Sequence, residues 1–172
     1  MNWPVLILVS YFLAIVQIGM ASWLRWWGEA SPNLLLVMLI FIGLHAPIEA
    51  LVISAVLLGL GYDLMNQTPL GFGVIGFSLV GLAMIQLRQL VFREHPFSHA
   101  TLGLVCGVIL ATILLILQWM RGFLFVTPPE AQVSMGVLLK SAVLTVPACV
   151  VVVWFLRKYR RTLGLRQSGY GM

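Results

Sequence analysis

From Trp3 to Leu24 the chain runs for 22 residues without one charged side chain. A helix rises about 1.5 Å per residue, so this stretch covers roughly the 30 Å of hydrocarbon in a bilayer. Further apolar runs follow it as far as Leu156, separated by short polar or proline-containing breaks. Of the 172 residues, 61% are hydrophobic and 9% charged. Soluble domains carry roughly 45–50% apolar and about 25% charged residues. Lipid is therefore the main solvent, and the length leaves no room for a separate soluble domain.

Taken in order, the runs predict an all-α integral membrane protein, a compact bundle of about six transmembrane helices. They lie near residues 3–24, 32–44, 47–64, 69–87, 97–120 and 133–156, in a single transmembrane domain over 1–172, with a basic cytoplasmic tail over 157–172. The first run is long for a signal-peptide core and is read as a retained helix. Pro32-Asn33 opens the second, where proline suits a first helical turn. Its thirteen residues are short for a full span, and it ends at His45-Ala46-Pro47. The second and third runs read as a tight, tilted hairpin.

The net charge of +5 could point to nucleic acid, but the basic residues stand just beyond apolar runs, as topology signals do. With six helices, Arg88, Arg93, Arg157, Lys158, Arg160, Arg161 and Arg166 fall on one side. Arg25 and Arg121 fall on the other, and Lys140 lies inside a helix. Seven against two places both termini in the cytoplasm. The two cysteines, Cys106 and Cys149, both lie in apolar runs and read as small core residues.

Catalytic patterns are not found. Ser78 sits in Gly-Phe-Ser-Leu without a nucleophile elbow's second glycine. His95 and His99, beside Glu94, are too few for zinc and read as a hydrated loop. No glycine-rich loop with a lysine supports phosphate chemistry. These readings predict no enzyme, no cofactor and no metal. The ionisable residues inside the runs are better candidates. Glu49 lies in a first turn, where an acid suits the helix dipole. Glu49 and Arg88 fall near the inner face, Asp63 and Lys140 near the outer one. Acids at helix ends suit structural pins better than a proton path, which needs several at depth.

The stretch Gly59-Leu-Gly-Tyr-Asp63, the turn after it and Pro69-Leu-Gly71-Phe-Gly73 read as the hairpin around which the other helices pack. Ala55, Gly59 and Asp63 recur every four residues, on one face of a helix that looks into the bundle. Gly103, Gly107 and Ala111 repeat the spacing in the fifth run, as a ridge for another helix. Lys140, about two turns into the sixth run, is expected to reach Asp63 and tie the third helix to the sixth. Arg160 and Arg161 are candidates for a contact at the inner membrane surface.

Pro32-Asn33, Gly59 to Asp63, Pro69 to Gly73 and Gly76-Phe-Ser-Leu-Val-Gly81, in this order and spacing, resemble the MreD family of bacterial membrane proteins. The similarity is best from about Ser31 to Arg88 and weaker after it. The resemblance implies a non-enzymatic role in rod cell shape and lateral peptidoglycan synthesis, in the inner membrane. The partners it implies are MreC directly and, indirectly, MreB, RodA and a class B penicillin-binding protein. It also implies a shape similar to the substrate-binding subunits of energy-coupling-factor transporters. That likeness raises the alternative of a small-ligand-binding subunit, with Asp63, Asn66, Gln67, Gln118 and Lys140 around a polar pocket.

Overall fold

The computed structural model describes residues 3–23, 30, 32–66, 69–90, 96–124 and 135–158. They form six helices: α1 Trp3–Trp23, α2 Leu34–His45, α3 Ile48–Asn66, α4 Phe72–Leu90, α5 Pro96–Leu124 and α6 Met135–Lys158. Among the described residues there is no strand. Three stretches, Ile48–Asn66, Ala100–Met120 and Gly136–Leu156, are long and apolar enough to cross a membrane. The basic tail and the connector Thr127-Pro-Pro-Glu130 lie outside the described residues.

The centre of the bundle is α2, not the hairpin of α3 and α4. Every residue from Leu34 to Leu44 is buried. The helix packs against all the others: α1, α3, α4, α5 and α6. A helix that is apolar all round has no face to give to water and belongs inside. At 12 residues it is about 18 Å long, well short of a bilayer's hydrocarbon. Its shortness follows from its ends, with Pro32-Asn33 before it and Ala46-Pro47 after it. The residue before a proline is pushed to extended backbone, and Ala46 stands at φ −107°, ψ 160°. The chain therefore turns at once into α3, as the hairpin reading of these two runs expects.

Two antiparallel pairs wall this core. In α3–α4, small residues let the backbones meet. A Cβ on Gly59 would lie 2.6 Å from Val74 Cα, and one on Gly81 would lie 3.1 Å from Ala55 Cβ. In α5–α6 the ridge does the same. A Cβ on Gly103 would lie 3.0 Å from Cys149 Cβ, and one on Gly107 would lie 3.2 Å from Ala142 Cβ. Ala111 is buried one turn further on. Gly76 joins the pairs, since a Cβ there would lie 2.8 Å from Leu110 Cδ1 of α5. Without a hydrophobic force between helices in lipid, close packing of this kind supplies the attraction. The remaining helix, α1, lies chiefly against α2, and its buried residues are Leu6, Leu13, Ala14 and Gln17.

Candidate functional site

Few polar side chains are buried among the described residues: Gln17, Ser54, Asp63 and Thr145. Of these, Gln17, Asp63 and Thr145 meet the start of a helix. The first four N–H groups of a helix have no partner within it, and in a dry interior each must be met.

At the start of α2, three elements meet them. Asn33 is the N-cap, and its Oδ1 accepts from Leu36 N at 3.0 Å. Gln17 Oε1, from α1, accepts from Leu34 N at 2.9 Å and from Leu35 N at 3.4 Å. The Asn33 amide donates to Thr145 Oγ1 of α6 at 3.0 Å. Thr145 donates in turn to Ser141 O at 2.7 Å. A polar node thus fastens α1, α2 and α6 where α2 begins. Gln17 lies six residues before the end of α1 and Thr145 ten residues into α6, so α2 starts at a depth between the ends of both helices. Just before it, Ala30 and Pro32 are buried.

At the start of α4, one side chain does the work. Asp63 is 1% exposed. Its Oδ2 accepts from Gly71 N at 2.8 Å and Val74 N at 3.4 Å, and its Oδ1 accepts from Gly73 N at 2.6 Å. A carboxylate here matches both the orphan amides and the positive end of the helix dipole. The turn is shaped to present those amides. Gly71 has φ +108°, a conformation that residues with a Cβ rarely adopt. A Cβ on Gly73 would lie 2.6 Å from both Asp63 Oδ1 and Gly59 O. Gly71 is thus a turn residue rather than a packing one, while Gly59 and Gly73 are required by close approach.

The remaining predicted residues fall apart from these nodes. The expected tie between Asp63 and Lys140 is replaced by the tie between Asp63 and α4. Lys140 is exposed on α6, which packs chiefly on α5 and α2. The reason is proximity along the chain: the amides of the turn and of the start of α4 arrive eight to eleven residues after Asp63 and bond to both of its oxygens. Glu49 is exposed in the first turn of α3. The side chains of Arg88 and His99, the whole of Glu94, His95, Arg160 and Arg161, and Gln67 of the suggested pocket lie outside the described residues. Cys106 and Cys149 are buried and form no disulfide, with Cys106 Sγ 3.6 Å from Met84 Sδ. Ser54 Oγ is buried without a hydrogen-bond partner.

Gln17, Asn33 and Thr145 escaped the search for functional residues. Asparagine before an apolar run is a capping signal, and Gln17 is the one strongly polar side chain in its run. Nothing marks Thr145, because a threonine in an apolar helix can satisfy itself on the preceding turn.

What this arrangement does is hold helices at fixed starts. The described polar contacts of Asp63, Gln17 and Asn33 are with backbone amides, or with the hydroxyl that braces one. No curated protein and no solved structure matches the chain at a significant level. The model of the family described as rod shape-determining protein MreD matches residues 1–160. A match over so much of the chain takes in both nodes and every helix, and the chain belongs to the MreD family of rod shape-determining membrane proteins.

Proposed function

We propose that this protein is a non-enzymatic scaffold of the elongation machinery, which binds MreC and helps organise lateral peptidoglycan synthesis. On this reading it sits in the inner membrane as one transmembrane domain with both termini cytoplasmic. It meets MreB, RodA and the class B penicillin-binding protein through MreC. Family membership supports a role in rod shape. The observation that carries the scaffold reading is the use of Asp63: the acid buried inside the bundle accepts from two amides of the next helix and from one in the turn before it. A group so engaged pins α3 to α4 and is not turned toward a ligand. A transporter's ligand-binding subunit, with the likeness to energy-coupling-factor subunits, would instead want such polar groups around an open outer pocket.

Affinity isolation of the full chain from native membranes, in mild detergent, separates the two. The scaffold reading expects MreC to be recovered in near-stoichiometric amount. Recovery of a transport ATPase in place of MreC would overturn it.

A further inference from the structure

The chain has two cysteines in 172 residues, and the fold brings both to one layer of the core. Cys106 stands on α5 and Cys149 on α6, and both are fully buried. Met84 of α4, also fully buried, joins them: the Cys106 thiol donates to its sulfur at 3.6 Å. Glycines make room for two of the three side chains. A Cβ on Gly43 of α2 would lie 2.9 Å from Met84 Cε, so the Met84 methyl fills that notch while its sulfur meets α5. A Cβ on Gly103 would lie 3.3 Å from Cys149 Sγ. Cys106 is three residues on from Gly103, and neighbours at that spacing have Cβ atoms about 5–6 Å apart. Cys149 Sγ is therefore no more than about 9 Å from Cys106 Cβ, across the same contact of α5 with α6.

Three sulfurs from three helices thus meet in a dry interior. Among the described residues the one buried acid is Asp63, which caps the start of α4, twelve residues before Met84 and about 18 Å away along that helix. Hard ions want oxygen, whereas thiolate and thioether sulfur suits Cu(I), zinc and iron–sulfur clusters. Structural zinc asks for four ligands drawn from thiolate, imidazole and carboxylate, and iron–sulfur clusters for four thiolates or their replacements. Two thiols and a thioether fall short of both and suit three-coordinate Cu(I). Charge decides the same way. Cu(I) with one thiolate is neutral, whereas a divalent ion with one thiolate would leave a net charge in the core. The spacing fits as well. With metal–sulfur bonds of about 2.3 Å, two sulfurs 3.6 Å apart subtend about 100° at a shared ion.

We infer that Met84, Cys106 and Cys149 form a buried site for a soft monovalent ion, Cu(I), which ties α4, α5 and α6 at one point. On binding, the Cys106 S–H bond breaks, a sulfur–copper bond forms and the proton leaves to solvent. Copper stays Cu(I) throughout. Cys149 closes the set by turning on its one side-chain torsion. The site is separate from the two helix-start nodes, and the inference does not depend on MreC.

The test uses the purified full chain in nanodiscs, reduced and free of oxygen, titrated with Cu(I) supplied as its bicinchoninate complex. Expected are transfer of one ion per chain, a rise in the unfolding midpoint with copper, and a copper X-ray absorption spectrum showing a shell of sulfur alone. Cys106→Ala and the volume-conserving Met84→Leu should each keep the fold and weaken retention by at least about tenfold, the loss given even by changing an outer partner of a metal site. Copper left with the chelator, retention no greater than that of the double variant Cys106→Ala with Cys149→Ala, or a shell containing nitrogen or oxygen overturns the inference. The spectrum is read on the wild-type chain, so it decides even where a variant fails to fold.

Discussion

Asp63→Asn keeps the shape of the side chain and changes only what one of its two end atoms can accept. In the native protein both oxygens face amides, at 2.6 Å, 2.8 Å and 3.4 Å. With asparagine, the remaining oxygen can serve Gly73, and the side-chain NH2 then faces the amides of Gly71 and Val74, donor against donor. Turning the amide over moves the conflict to Gly73. Hydrogen bonds to a charged group contribute about 1.5–3 kcal/mol, and a buried donor left without a partner costs about 1–3 kcal/mol. The 3.4 Å contact is weak, so one strong bond is lost and one orphan made, for about 2.5–6 kcal/mol. The side chain is 1% exposed, so solvent does little to soften the loss. For a chain of this size each kcal/mol moves the unfolding midpoint by about 2–4 °C, which gives roughly 5–24 °C. The assay is the loss of monodisperse, fluorescently tagged protein on heating in nanodiscs. A shift below about 2 °C, less than one weak hydrogen bond on that scale, would refute the claim that Asp63 caps α4.

Gly59→Ala should destabilise by about 1–3 kcal/mol, because its Cβ would lie 2.6 Å from Val74 Cα and 2.7 Å from Gly73 O. Gly61→Ala, two residues on, meets nothing within 4 Å and should be neutral or stabilising in the same heating assay. Gln17→Leu removes the acceptor of Leu34 N and Leu35 N and should cost about 1–3 kcal/mol, with faster proteolysis as a second readout. Two fusions of a compartment-sensitive reporter, at Gly169 and within 127–130, should report opposite sides of the membrane; agreement between them would remove the six-span topology.

The helices and their order were legible because each is announced by length, apolarity and a proline or glycine at its edge. Pro96 opens α5 and Pro69 stands just before α4, so their starts could be read to within a few residues. The small-residue faces were legible too: four-residue spacing is a property of the helix itself, and Gly59, Gly103 and Gly107 all lie at helix contacts. The centre of the bundle was not. Leu34 to Leu44 carries no periodicity, and an apolar run without a polar face fits lipid and protein surroundings equally well. Its length of 12 residues was the available clue that it does not cross alone. The partner of Asp63 was misread for a related reason. A charge in a membrane prompts a search for the opposite charge, whereas backbone amides at a helix start carry no mark in the sequence. Gly71 and Gly73 supply amides of the turn that the carboxylate needs.

The claim that this chain is a scaffold for MreC is most directly tested by reconstituting the two purified full-length proteins together in nanodiscs. Native mass spectrometry then reads the composition of each particle. The account predicts a discrete complex of the two chains that forms without ATP or added small ligand. Particles in which the two proteins distribute at random, at concentrations where each remains folded, would contradict it.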